Sequence, residues 1–244
     1  MSDTGHIAGN IAHVRAQIAE ACMRAGRPPE DVTLVAVTKN FPASYVTAAV
    51  ASGLTNVGES KAQELAAKRI ELPELDVRWH FIGRLQRNKV RSVLEHADVV
   101  QSVDRVALAR AIAKAARESD RFNPSRRLQI MLQVDLDPSP PNVDKDSTSA
   151  RGGVHPDQLL ELAAEVAACD VLELTGVMSI APLGYDPADC FRRLARLREQ
   201  LREVYPTATE ISAGMSGDFA VAIENQATLV RVGTALFGSR ELPF

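Results

Sequence analysis

The chain has 244 residues and a formal charge of −3, from 28 Lys and Arg against 31 Asp and Glu. That balance argues against a general nucleic-acid binder, which would be strongly basic, and leaves room for a local basic pocket around a small anion. Three cysteines without a CxxC pair or metal-ligand spacing fit a reduced, cytoplasmic setting, and no apolar run approaches the roughly 20 residues of a membrane span.

Residues 1–10 include Asp3 and lack the apolar stretch of a signal peptide. Ile7, Ile11, Val14, Ile18 and Cys22 then recur at helical spacing, predicting a one-faced helix over residues 7–25 that Gly26 and Pro28-Pro29 end. The β-branched run at 33–37 reads as a first strand, followed by a helix over 43–51 that stops at Gly53. The alternation continues with a strand at 55–57, a helix at 59–69, a strand at 78–82, a helix at 87–96 and a strand at 99–102. Asp104 is placed to cap the next helix, over 107–116. A fifth strand covers 128–136, and Pro156 opens a helix running to about 168. A sixth strand at 172–177 precedes a helical stripe of Phe191, Leu194, Leu197 and Leu201. A seventh strand at 210–212, a short helix at 219–223 and an eighth strand at 228–232 complete the series.

Eight strands alternating with helices favour a single α/β domain over residues 1–244, a closed (β/α)8 TIM barrel with an extra N-terminal helix. An open doubly wound sheet is the structural alternative. Residues 137–153 hold Pro, Ser, Asp, Thr and Gly without a period, and form a functional or disordered loop. Lys145 and Arg151 within it are solvated charges by default, with attraction of an anionic substrate as the other reading.

The unusual residues collect where barrel strands end, the face that carries chemistry in this fold. Lys39 follows the first strand. A lysine there is costly unless it meets a charged ligand or does chemistry, and its amine suits bond formation with an aldehyde. Gly214-Met215-Ser216-Gly217-Asp218 follows strand seven, and Gly233-Thr234 follows strand eight. Together they form either a phosphate cup or an ordinary helix cap by Ser216. Arg231 lies inside strand eight and needs an acceptor, either Glu59, Glu210 or Glu224, or a ligand. His80 is an acid/base group, a stacking partner or a core histidine bonded to a carbonyl. Lys61, Arg87 and Lys89 read as solvated helix charges.

These blocks occur together and in order: Val35-Ala36-Val37-Thr38-Lys39, Asn56-Val57-Gly58-Glu59, Gln63-Glu64 and Trp79-His80-Phe81-Ile82-Gly83. Leu85-Gln86 with Asn88-Lys89 follow, then Gly176-Val177-Met178, Gly214-Met215-Ser216 with Asp218, Arg231-Val232-Gly233-Thr234 and Phe237-Gly238. In that order the chain resembles the YggS/PROSC family, pyridoxal-phosphate-binding proteins of vitamin B6 homeostasis. That family is similar to the barrel domain of alanine racemase and belongs to fold-type III.

The resemblance implies that Lys39 holds pyridoxal 5′-phosphate reversibly as a Schiff base and that Arg231 faces the pyridine nitrogen. It implies that Ser216, Gly233 and Thr234 hold the phosphate, that Met215 shapes the cup, and that Asn56 and His80 line the pocket. It further implies a cytoplasmic, monomeric carrier or regulator, with amino acids and apo-enzymes as partners and neither nucleic acid nor membrane. The alternative is a pyridoxal-phosphate-dependent amino-acid racemase, for which Tyr45, Tyr185 and Tyr205 stand in no recognisable motif. Two departures stand out. Ser60-Lys61 replaces the family's Asn and aromatic residue, and Ser149-Ala150-Arg151-Gly152-Gly153 replaces its usual Lys-x-Gly element.

Overall fold

Every strand pairs with its successor in sequence, and the last pairs back on the first, so the eight parallel strands close into a barrel. The structure, a computed structural model, describes residues 4–137 and 152–238. Helix α1 (Gly5–Arg24) precedes β1 (Thr33–Val37), α2 (Ala43–Ala51), β2 (Asn56–Glu59) and α3 (Ala62–Glu71). Next come β3 (Arg78–Phe81), α4 (Val90–Leu94), β4 (Val99–Val103), α5 (Val106–Arg117) and β5 (Leu128–Gln133). Then follow α6 (Leu159–Ala167), β6 (Leu172–Met178), α7 (Pro187–Val204) and β7 (Glu210–Ser212). Helix α8 (Phe219–Glu224), β8 (Leu229–Val232) and α9 (Thr234–Phe237) complete the order. The architecture is the expected (β/α)8 barrel. Its extra helix α1 buries the predicted Ile7, Ile11, Val14, Ile18 and Cys22 face and packs on α2, α8 and α9, across the seam between β8 and β1.

Two separate apolar clusters result from the period-2 alternation of strand side chains. Leu34 and Ala36 point out into the main core beneath the helices. Val35 points in, where it joins Met131, Met178 and Leu229 in a small cluster inside the barrel. Most of the remaining interior is polar: His80, Gln101, Ser212 and Arg231 are all buried.

Some boundaries and one cap differ from the sequence expectation. Helix α3 begins at Ala62, because Gly58 and Glu59 remain paired to β3 as strand residues. Helix α5 begins at Val106 without a side-chain cap. The Asp104 carboxylate is bonded instead to the neighbouring Arg105 guanidinium, which also donates to Leu85 O at 3.1 Å. A permanent cation next door outcompetes the helix N–H groups for that carboxylate. Lys145, Arg151 and most of the 137–153 loop lie outside the described residues.

Candidate functional site

The inward parity that places Val35 inside the barrel also places Val37 and Lys39 on the same side, one and two steps nearer the C-terminal face. Leu229, Arg231 and Gly233 repeat the pattern on β8 and just beyond it. These two series meet at a cavity of about 350 Å³. Its walls are Val37, Phe41, Ile82, Met178 and Ile180, and its polar rim and floor are Lys39, Ser60, Ser216, Gly217, Arg231 and Thr234. Met215 and Gly233 also line it.

The structure therefore brings six of the eight named residues together: Lys39, Met215, Ser216, Arg231, Gly233 and Thr234. Asn56 and His80 are not among the lining residues. Both point inward but lie deeper: His80 is two residues before Ile82, roughly 6.5 Å at strand rise, and Asn56 is four residues before Ser60, roughly 13 Å. On β3 it is Ile82, two residues after His80, that reaches the cavity.

Arg231 forms the floor and is 4% exposed. It makes none of the ion pairs considered from sequence. Glu59 is taken by Lys68 and Glu224 by Arg24, and Glu210 accepts from Thr175. Its acceptors are neutral oxygens: Nη1 donates to Ser212 Oγ at 2.7 Å and Nη2 to Ser179 O at 2.8 Å. Burial pushes the guanidinium down to about 10, opposed by the charge of Asp218, so it stays cationic at neutral pH. A buried cation without a carboxylate partner is a strong anion attractor.

Ser216 does not cap α8, whose N-cap is Asp218. Its Oγ accepts instead from Ala235 N at 3.2 Å, tying the β7–α8 turn to the start of α9. The Asp218 carboxylate closes that turn by accepting from Met215 N at 2.6 Å. Gly214, at φ +88, lets the chain turn so close to α8 that an added Cβ would meet Phe219 Cα at 2.7 Å. Gly233 lies against Val37 O, which an added Cβ would meet at 3.2 Å.

Beneath the floor runs a line of hydrogen bonds that the sequence did not suggest. Ser212 donates to Gln101 Oε1 at 2.7 Å, Gln101 Nε2 donates to His80 Nδ1 at 2.8 Å, and His80 Nε2 meets Asn56 Oδ1 at 2.9 Å. Asn56 Nδ2 ends the line on Thr55 Oγ1 at 3.1 Å. Since Arg231 can only donate, every later member donates in the same direction, which makes His80 the neutral Nε2–H tautomer. Burial first, then the charge of Arg78, holds His80 down at about 3.

The donor set fits a planar, phosphorylated aldehyde. Two cations and three hydroxyl-bearing residues, Ser60, Ser216 and Thr234, line the cavity, no carboxylate lines it among the described residues, and the walls are apolar. An amine at the mouth, an anion-attracting floor and an apolar slot are what such a ligand requires. Among the described residues, no group of three or more His, Cys, Asp or Glu could hold a metal ion, and no helix is long and apolar enough to cross a membrane.

Comparison with known proteins adds an independent line. The family described as "Alanine racemase, N-terminal domain" matches residues 9–241. A pyridoxal phosphate homeostasis protein of Pseudomonas aeruginosa is 39% identical, over 96% of this chain and 96% of that protein. One from Mycobacterium tuberculosis H37Rv is 38% identical, over 95% of this chain and 92% of its own. The structure of PipY from Synechococcus elongatus PCC7942, solved with PLP bound, superposes with a TM-score of 0.79. It is 35% identical and covers 95% of this chain and all of its own, 100%.

Proposed function

The chain belongs to the family of pyridoxal phosphate homeostasis proteins, and from that membership we propose that it binds pyridoxal 5′-phosphate reversibly, as a carrier in vitamin B6 homeostasis rather than a turnover catalyst. One observation carries the reading: a cavity with an amine and a buried guanidinium, apolar walls and no lining carboxylate among the described residues. When bound, the cofactor supplies an aldehyde carbon open to attack by an amine.

Lys39 is the amine that takes it. Ser216, Gly233 and Thr234 receive the phosphate at the ends of β7 and β8, and Met215 closes that cup. Arg231 faces the ring nitrogen. As a cation that only donates, it keeps that nitrogen unprotonated, which disfavours carbanion chemistry and suits storage. His80 and Asn56 act from below, as the far members of the line that orients Ser212 under Arg231.

Free amino acids would release the cofactor by replacing Lys39, which makes amino acids and apo-enzymes the partners of a cytoplasmic monomer formed by one domain, residues 1–244. Three buried free cysteines support the reducing compartment.

The test is the absorbance spectrum with pyridoxal phosphate added, followed by borohydride reduction and peptide mapping. A visible band near ~420 nm that reduction removes, with the adduct on Lys39, supports the reading. No adduct, or sustained racemisation of an amino acid with proton exchange at its α-carbon, overturns it.

A further inference from the structure

One short segment, the end of β2 and the first turns of α3, grips the residues on both sides of Lys39. Before it, Lys68 Nζ donates to Thr38 O at 2.7 Å and pairs with Glu59 Oε1 at 2.5 Å. Thr38 Oγ1 donates to that same carboxylate oxygen at 2.5 Å. After it, Glu64 Oε2 accepts from Asn40 N at 2.6 Å. Lys61 Nζ bridges Asn40 Oδ1 and Glu64 Oε1, each at 2.8 Å. Phe41 N also donates to Thr38 O, at 3.0 Å, so Lys39 and Asn40 are the central pair of a four-residue turn. Asn40 sits at φ 63, a left-handed conformation that asparagine tolerates better than most residues.

The buried pair is hard to explain as a stabilising device. Glu59 is fully buried and Lys68 is 5% exposed, and desolvating both charges offsets most of their attraction. Glu59 Oε2 has no partner among the described residues, so the pair is not even fully satisfied. Its remaining hydrogen bonds all go to Thr38, the residue before Lys39. The second pair includes Lys61, one of the residues that depart from the family pattern, and it acts on Asn40, the residue after Lys39. None of Glu59, Lys61, Glu64 and Lys68 lines the cavity.

We propose that these four side chains are positioning residues for Lys39: they fix the peptide units on either side of it, and so set the direction from which its amine enters the cavity. The inference rests on the proposed capture of pyridoxal phosphate. In that capture the Lys39 nitrogen bonds to the aldehyde carbon, and the carbonyl oxygen leaves as water with the two amine protons. A lysine whose main chain is pinned on both sides has only its own side-chain torsions to align, so the clamp acts on the rate of bond formation and not on the noncovalent hold.

The experiment uses the full chain and two readouts. Borohydride trapping at saturating pyridoxal phosphate gives the rate at which the Lys39 adduct forms. Competition by pyridoxine 5′-phosphate, with an alcohol in place of the aldehyde, gives noncovalent affinity. Glu64→Ala and Lys61→Met should slow capture by about tenfold or more while pyridoxine phosphate affinity stays within about twofold. Because Lys68→Met alone strands a buried carboxylate, the double variant Glu59→Gln/Lys68→Met reads the other half of the clamp and should show the same split. Wild-type capture rates in these variants, or rate and affinity falling together, overturn the proposal. A wild-type chain that forms no adduct at all overturns the function beneath it, which is a separate and recognisable result.

Discussion

The guanidinium of Arg231 fixes the tautomer of His80 across the barrel interior. Only donors leave Arg231, so Ser212 and then Gln101 must each pass a proton onward, and His80 Nδ1 is left as an acceptor. A second proton on His80 would face the Gln101 amide N–H, and the nearby Arg78 charge and burial both oppose it.

That relationship gives a pH prediction. His80 titrates at about 3 in the folded protein against 6.5 as its ordinary value. Between those limits the unfolded chain binds a proton that the folded chain does not, so stability is lost as pH falls below 6.5. The slope is up to about 1.4 kcal/mol per pH unit. Burial raises the Glu59 carboxyl and adds a slope of opposite sign, common to wild type and variant. Urea unfolding of His80→Gln and wild type between about pH 7 and pH 5 should therefore show a shallower acid loss in the variant. Parallel curves would mean that His80 is not held neutral.

Lys39→Ala should abolish the visible band and the borohydride-trapped adduct while leaving the chain folded. The turn's bonds through Thr38, Asn40 and Phe41 remain in the variant, so the stability change should stay within about 1 kcal/mol. A reducible adduct that persists in this variant would move the covalent site elsewhere.

Arg231→Gln separates the ring contact from the phosphate contact. The variant should lose much less affinity for inorganic phosphate than for pyridoxal phosphate, because Ser216, Gly233 and Thr234 are unchanged. It should shift the absorbance of bound pyridoxal phosphate and weaken its binding by about 1–3 kcal/mol. Equal loss of both ligands would contradict the assignment of Arg231 to the ring.

Gly214→Ala tests the turn that presents Ser216. The new methyl group would enter a left-handed residue 2.7 Å from both Ala222 Cβ and Phe219 Cα. A cost of about 1–3 kcal/mol in thermal unfolding should accompany weaker binding of inorganic phosphate. Wild-type affinity in a folded variant would detach the turn from the anion.

The strand count, the extra helix and the collection of Lys39, Ser216, Arg231 and Thr234 at one end were legible because alternation and strand-exit position are local properties of the chain. Depth inside the barrel was not. His80 and Asn56 have the right parity, but only the register of β2 against β3 sets their height relative to Ile82. Partner choice was equally hidden. Glu59, Glu210 and Glu224 were all reasonable acceptors for Arg231 until the fold committed them to Lys68, Thr175 and Arg24. Gln101 and Ser212 gave no signal, since a lone glutamine and a lone serine in strands acquire meaning only when the closed barrel brings them face to face. Lys61 read as a solvated charge, and only the folded turn shows it reaching Asn40.

The one-way run from Arg231 to Thr55 also constrains how this chain can change. Exchanging an acceptor for a donor at Gln101 or Ser212 would set two N–H or O–H groups against each other, and restoring the match would take a compensating change at a neighbouring member or the loss of the arginine. Neutral drift inside this barrel therefore proceeds in matched sets. A library that randomises Ser212, Gln101, His80 and Asn56 together should recover folded sequences whose donor order is kept even where their residues are not.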